Sequence, residues 1–138
     1  MIFIAGNVPS SKNSKRWTGK MLINSKTVMK YIKDTEKQYK RFKVDFQGMM
    51  RGMDYPIIVS FKFIRGTKHR FDYINPAQTV QDLMVKNEWI EDDNMNFIIP
   101  HFEPYEYDKE NPGVEIKVYD KAKRFFTIKS CTVCAGLM

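Results

Sequence analysis

The sequence lacks the features of a secreted or membrane protein. Its 138 residues include two cysteines, and no segment approaches the roughly 20 consecutive apolar residues that span a bilayer. Residues 1–6 have neither the length nor the basic segment of a signal peptide. We therefore expect a cytoplasmic chain without a membrane partner.

Metal-binding and nucleotide-binding motifs are also scarce. Cys131 and Cys134 form a single C-x-x-C pair, which is half of a zinc site, and His69 and His101 are the only histidines. The sequence favours a reduced, mobile tail over residues 123–138, with a structural zinc site as the alternative. No nucleophile motif, glycine-rich phosphate loop or dinucleotide fingerprint occurs, which argues against a nucleotide cofactor.

Positive charge is abundant and unevenly distributed. The formal net charge is +7, and residues 1–70 contain 16 Lys and Arg against 4 Asp and Glu, whereas residues 71–138 contain 7 against 12. A basic half attracts a polyanion and an acidic half suits metal ions. The alternative is a helix surface that is merely solvated by lysine.

The hydrophobic pattern predicts an α+β fold: a small mixed β-sheet with two helices packed on one face, in a single domain over residues 1–122. The predicted elements are strands at 2–5 and 21–23, a loop over 7–20, a helix over 26–46, a strand at 57–64, a helix over 75–88 with Pro76 as its first helical residue, and strands at 96–106 and 113–119.

Four carboxylates surround the second predicted helix: Asp72 precedes it, Asp82 lies on its polar side with Gln78 and Lys86, and Asp92 and Asp93 follow it. If the helix packs across the sheet, its polar side could bring the four together. Mg²⁺ requires oxygen ligands of this kind, and a bound metal activates water for phosphodiester cleavage. The alternative is that Asp92 and Asp93 only form a solvated turn.

Two segments carry a resemblance to a known family. Residues 70–75 read Arg-Phe-Asp-Tyr-Ile-Asn and are followed by Gln78, by Asp-Leu-Met at 82–84 and by Trp-Ile-Glu-Asp-Asp-Asn at 89–94. Residues 6–16 read Gly-Asn-Val-Pro-Ser-Ser-Lys-Asn-Ser-Lys-Arg and add a basic segment of the G-x-P-x-x-K-x-x-x-R character. This arrangement resembles the RusA-type Holliday-junction resolvases over roughly residues 1–120.

The resemblance implies a homodimeric endodeoxyribonuclease that needs Mg²⁺, with Mn²⁺ as a possible substitute, and that makes paired cuts in branched DNA. Asp72 and Asp93 correspond to metal-binding catalytic aspartates, and Asp82 and Asp92 are further ligands or hold bound water. The family's second aspartate falls on Ile74, and its catalytic lysine falls on Gln78.

These two replacements leave three functions open. The first is an active nuclease in which Asp82 and Asp92 complete the site and a nearby basic residue (Lys68, Arg70 or Lys86) supplies positive charge. The second is a protein that binds branched DNA without cutting it. The third possibility is a small interaction protein that does not bind nucleic acid.

The expected DNA contacts lie in the basic loop and beside Asp72. They are Lys12, Lys15, Arg16, Trp17, Lys20, Lys68, Arg70 and Lys86. Trp17 could stack on an exposed base or anchor its loop against the sheet. His69 is an alternative general base, although a metal-activated water needs none.

Overall fold

The computed structural model describes residues 1–10, 15–17, 19 and 22–120, with only the backbone of 15–17 and 22–24. Cys131, Cys134 and the predicted tail over 123–138 lie outside the described residues, so the tail and its zinc alternative stay predictions.

A mixed five-stranded sheet and three helices confirm the α+β prediction. The elements are β1 Ile2–Ala5, β2 Lys15–Trp17, β3 Leu22–Asn24, α1 Lys26–Arg41, α2 Lys43–Met50, β4 Ile57–Arg65, α3 Ile74–Lys86, β5 Ile98–Phe102, β6 Glu106–Tyr107 and β7 Gly113–Tyr119. The main sheet has the order β1-β7-β4-β5, and β6 also pairs with β4. Strand β7 is antiparallel to both β1 and β4, whereas β5 and β6 run parallel to β4.

Strand β4 lies in the interior of the sheet, and its two faces differ. Val59, Phe61 and Phe63 on one face are fully buried in a core cluster that includes apolar residues from all three helices. The opposite face carries Ser60 and Lys62, which lie beside Lys117 and Glu115 of β7 in the strand register. Because side chains alternate along a strand, the apolar residues of β4 pack with the helices while Ser60 and Lys62 lie on the opposite face. No helix in the described ranges is both long and apolar enough to cross a bilayer.

The prediction of one helix over 26–46 was wrong, because the chain forms two helices that meet at Phe42, whose φ and ψ are −85° and 1°. No glycine or proline marks this break in the sequence. Tyr39 and Phe46, on either side of the break, both pack on the indole of Trp89, with ring centroids 5.6 and 5.1 Å from it. Tertiary packing around Trp89 therefore accompanies a break that local sequence does not signal.

Three other boundaries differ from the predictions. The predicted loop over 7–20 contains β2, which pairs with β3 as a hairpin. The predicted strand over 96–106 is divided into β5 and β6, which residues 103–105 separate. Helix α3 begins at Ile74, so Pro76 is its third residue, where the amide hydrogen is still dispensable.

Helix α3 ends in a Schellman motif. The amide of Trp89 donates to the carbonyl of Met84, and the amide of Glu88 donates to that of Val85, while Glu88 adopts a positive φ of 63°. Glycine is the usual residue at this left-handed position, so its absence concealed the motif in the sequence. The motif turns the chain and places Trp89 in the core.

Candidate nucleic-acid interface

A cleft of about 940 Å³ opens beyond the C-terminal end of β4. Three parts of the chain form most of its lining: Asn7, Pro9 and Ser10 after β1, most of the connection from Arg65 to Asn75, and Tyr105 between β5 and β6. The side-chain amide oxygen of Asn7 accepts a hydrogen bond of 2.8 Å from the amide of Gly66, which holds the first two parts together.

Arg65 is the buried cation of this cleft. It ends β4 on the face that carries Phe61 and Phe63, so strand alternation directs its side chain inward, where it is 4% exposed. Its guanidinium donates to the carbonyl oxygen of Val8 and, over 2.9 Å, to Oγ of Ser10, and no carboxylate in the described ranges pairs with it. Burial lowers the pKa of Arg65, but an arginine remains charged at neutral pH.

Exposed basic residues continue from Arg65 along the same wall. Lys68, His69 and Arg70 line the cleft, and Nζ of Lys68 lies 4.9 Å from the centroid of the Tyr107 ring, a cation–π contact. Asp72 lines the cleft beside them. One wall therefore presents several positive groups and one carboxylate.

Aromatic rings form the adjoining wall. Phe71 covers the Arg65 guanidinium at 4.8 Å, and Tyr105 meets Phe71 edge to face with centroids 5.3 Å apart. The hydroxyl of Tyr73 accepts a hydrogen bond of 3.1 Å from the amide of Tyr105 and so fixes the backbone that carries this ring. Tyr105 itself remains 49% exposed.

The expected carboxylates are distributed along a β4–α3–β5 unit. Asp72 precedes α3 near the C-terminal end of β4, Asp82 is exposed on α3, and Asp92 and Asp93 lie shortly before the start of β5. Because β4 and β5 are parallel, a helix of about 18 Å separates the two ends of this unit. Within the described ranges, no three His, Cys, Asp or Glu residues form a group able to hold a metal ion.

Asp92 and Asp93 do form an adjacent pair. Asp92 accepts hydrogen bonds of 2.8 Å from the amide of Asp93 and from the side-chain amide of Asn94, which are contacts between neighbours in the sequence. Burial raises the pKa of Asp93, and the neighbouring carboxyl of Asp92 adds to this effect. Both residues lie just before a turn at residues 95–97, and their role as metal ligands stays a prediction.

Two residues at the N-terminal end of α3 occupy positions where the resemblance predicts an aspartate and a lysine. Ile74 is 67% exposed and Gln78 is exposed one turn further, in the stripe that continues to Asp82 and Lys86. Ile74 offers no metal ligand where the resemblance predicts an aspartate, and Gln78 offers a neutral hydrogen-bond donor where it predicts a lysine.

The donors of the cleft fit a metal that arrives with its substrate. Mg²⁺ is usually held by one or two carboxylates, substrate phosphates and waters, a set that Asp72 and phosphate bound by the basic wall would supply. A permanent metal centre built from three protein side chains does not fit one chain of the described structure.

The predicted DNA-binding residues fall into three groups. Lys68 and Arg70 line the cleft, and Lys86 lies at the far end of α3, in electrostatic contact with Glu36. Lys12 and Lys20 lie outside the described residues, and so do the side chains of Lys15, Arg16 and Trp17, whose backbone forms β2.

Sequence reasoning missed Arg65 and Tyr105 as parts of the site. For Arg65 a signal existed, since it follows Phe61 and Phe63 on the buried alternation of β4, where a charged residue is unusual. Tyr105 carries no comparable signal, because its position in the cleft depends on packing between distant segments.

The fold and the cleft define the class of molecule: an α+β protein with a basic, aromatic-walled cleft at the end of a central strand. The sequence matches no protein-family model, and comparison with curated proteins finds no related sequence.

Proposed function

We propose that this chain is a RusA-type endodeoxyribonuclease that cleaves the phosphodiester backbone of branched DNA with Mg²⁺, for which Mn²⁺ can substitute. The observation that carries the proposal is the shared cleft of Asp72 with Arg65, Lys68 and Arg70. A nuclease needs cations to hold the phosphate and a carboxylate beside them to hold the metal.

Each group has a definite role in this proposal. Lys68 and Arg70 bind backbone phosphates, and Asp72 holds the metal next to the scissile one. When bound, the metal supplies activation of the attacking water. A homodimer would present two equivalent clefts, which paired incision of opposite strands requires.

The test is incubation with a labelled four-way junction and a matched linear duplex, in Mg²⁺ and in EDTA. We expect paired nicks in the junction alone, no nicks in EDTA, and a loss of about a hundredfold in rate for Asp72→Asn. Asp54→Asn removes an exposed carboxylate in the turn before β4 and serves as the matched control. Cleavage that persists in EDTA or in Asp72→Asn would contradict the proposal.

The exposed Ile74 and Gln78 favour a second candidate, a protein that binds branched DNA without cutting it. Such a protein would bind the junction in a salt-sensitive manner and leave it intact in Mg²⁺ and Mn²⁺. Nicks that appear only in the double variant Ile74→Asp, Gln78→Lys would identify this case. Absence of any DNA binding at low salt would instead favour the small interaction protein.

A further inference from the structure

We propose that the cleft at the end of β4 receives one unpaired nucleotide, with its phosphate at Arg65 and its base on the ring of Tyr105. This deepens the proposed function and rests on it for the choice of nucleic acid as ligand. The site would recognise single-stranded character at a branch, where bases are free to leave the stack.

The phosphate end rests on the unsatisfied hydrogen-bonding capacity of Arg65. Among residues 1–10, 15–17, 19 and 22–120, its Nε has no hydrogen-bond partner although it is buried, and Arg65 is 4% exposed. Buried polar groups in folded proteins are almost always hydrogen-bonded, and a buried charge without a counter-charge is costly. An anion bound in the cleft would supply both a counter-charge for the Arg65 guanidinium and a hydrogen-bond acceptor for its Nε–H.

The surroundings of Arg65 orient the guanidinium without neutralising it. A backbone carbonyl, that of Val8, and the hydroxyl of Ser10 hold two of its nitrogens. Neither partner carries a formal charge, so the full positive charge remains available to a ligand. The hydroxyl of Ser10 accepts from Arg65 and keeps its own hydrogen to donate to a phosphate oxygen.

The base end rests on the chain of aromatic contacts. The Arg65 guanidinium carbon lies 4.8 Å from the Phe71 ring centroid, which lies 5.3 Å from the centroid of the half-exposed Tyr105 ring. These two contacts limit the distance from the guanidinium to the Tyr105 ring, which is the distance that the nucleotide has to bridge. Tyr73 holds the backbone of Tyr105 in place. The ring is thus an anchored platform with surface available for stacking.

An unpaired base fits this platform better than a base pair does. Bases in a duplex already stack on their neighbours, so an aromatic side chain gains stacking contact only with a base that has left the helix. The cleft volume of about 940 Å³ lies within the range of ordinary small-ligand sites.

The test measures binding of fluorescein-labelled oligothymidylate and of a duplex of equal length, by anisotropy at low salt in EDTA. Tyr105→Leu removes the platform. Tyr55→Leu is the matched control, because Tyr55 is also 49% exposed and also meets a phenylalanine, Phe97, edge to face at 5.2 Å, in a segment outside the cleft. We expect Tyr105→Leu to weaken single-strand binding about tenfold, with little change for duplex, since only an unpaired base loses a stacking contact.

Two further variants test the contact between the phosphate and Arg65. Arg65→Lys keeps the charge but loses the planar fork, and we expect it to weaken binding of the single strand about fivefold or more. Arg51→Gln, an exposed charge at the end of α2, should change it less than twofold. Circular dichroism and the thermal midpoint establish that each variant is folded.

The outcomes separate this inference from the proposed function. Wild-type affinity for the single strand in folded Tyr105→Leu would overturn the inference even if junction cleavage is intact. Tyr105-dependent binding in a protein that never nicks the junction would support the inference and contradict the nuclease. Equal weakening by Tyr105→Leu and Tyr55→Leu would also overturn it, because the effect would then not belong to the cleft.

Discussion

The indole nitrogen of Trp89 donates a hydrogen bond of 2.7 Å to the backbone carbonyl oxygen of Tyr39. Tyr39 lies in the last turn of α1, where carbonyl groups lack intrahelical partners. Trp89 follows the Schellman motif of α3 and is almost fully buried. One side chain thereby satisfies the end of one helix and fixes the end of another.

Replacing Trp89 with Phe should destabilise the fold substantially. The variant loses the hydrogen bond to Tyr39 and leaves a cavity beside Phe46, so we expect the free energy of unfolding to fall by about 2–3 kcal/mol in urea denaturation. Tyr107→Phe, at a half-exposed ring, should change it by less than about 0.5 kcal/mol. Equal stability of Trp89→Phe and wild type would contradict the role given to the indole.

Glycine at position 88 should stabilise the protein. Glu88 has a positive φ of 63°, which is unfavourable for a residue with a Cβ, and its ion pair with Lys43 is exposed to solvent. We expect Glu88→Gly to raise the free energy of unfolding by about 0.5–1 kcal/mol. Glu91→Gly, where φ is not positive, should give no gain; a gain of equal size there would contradict the explanation.

Replacing Gly113 or Gly48 with alanine should change the free energy of unfolding in opposite directions. A Cβ on Gly113 would lie 2.5 Å from the carbonyl oxygen of Ile4 and from the ring of Phe3, whereas a Cβ on Gly48, within α2, meets nothing within 4 Å. We expect Gly113→Ala to lower the free energy of unfolding by about 1–3 kcal/mol and Gly48→Ala to raise it by about 0.5–1 kcal/mol. Thermal and urea unfolding measure both, and the same sign for the two variants would refute the comparison.

The raised pKa of Asp93 predicts a specific pH dependence of stability. The folded state binds this proton more tightly than the unfolded state, so the contribution of Asp93 to stability is most favourable in acid and declines as pH rises through its raised pKa. Asp93→Asn should therefore have a higher thermal midpoint than wild type at pH 7, with the difference vanishing towards pH 3. Asp54→Asn controls for loss of one negative charge, and an unchanged difference across this pH range would contradict the assignment.

Local patterns predicted those elements whose signals repeat along the chain. Strand β7 has the predicted limits, 113–119, and β4 extends only one residue beyond its predicted end. Ala77, Val80, Leu83 and Met84 form the buried side of α3, as their spacing indicated. Apolar patterns with a period of two or of 3.6 residues predict strands and helices well, because they reflect which face of each element packs against the core.

The cleft could be predicted only in part. Lys68, Arg70 and Asp72 are contiguous enough for sequence reasoning to group them, and the structure places all three in one cleft. Arg65 and Tyr105 join them through β4 and through the connection between β5 and β6, and no local pattern encodes that approach. The spread of Asp72, Asp82, Asp92 and Asp93 along the β4–α3–β5 unit likewise depends on the parallel pairing of β4 with β5.

Composition and local pattern were enough to predict the fold class, the unequal charge of the two halves and the face that each main strand and helix buries. These properties depend on the order of apolar and charged residues along the chain. The shared cleft of the buried Arg65 and the half-exposed Tyr105 depends on tertiary packing. The helix break at Phe42 and the left-handed Glu88 likewise accompany the packing of Trp89. Those relationships arise between segments far apart in the chain, where close packing overrides the preference of each residue alone.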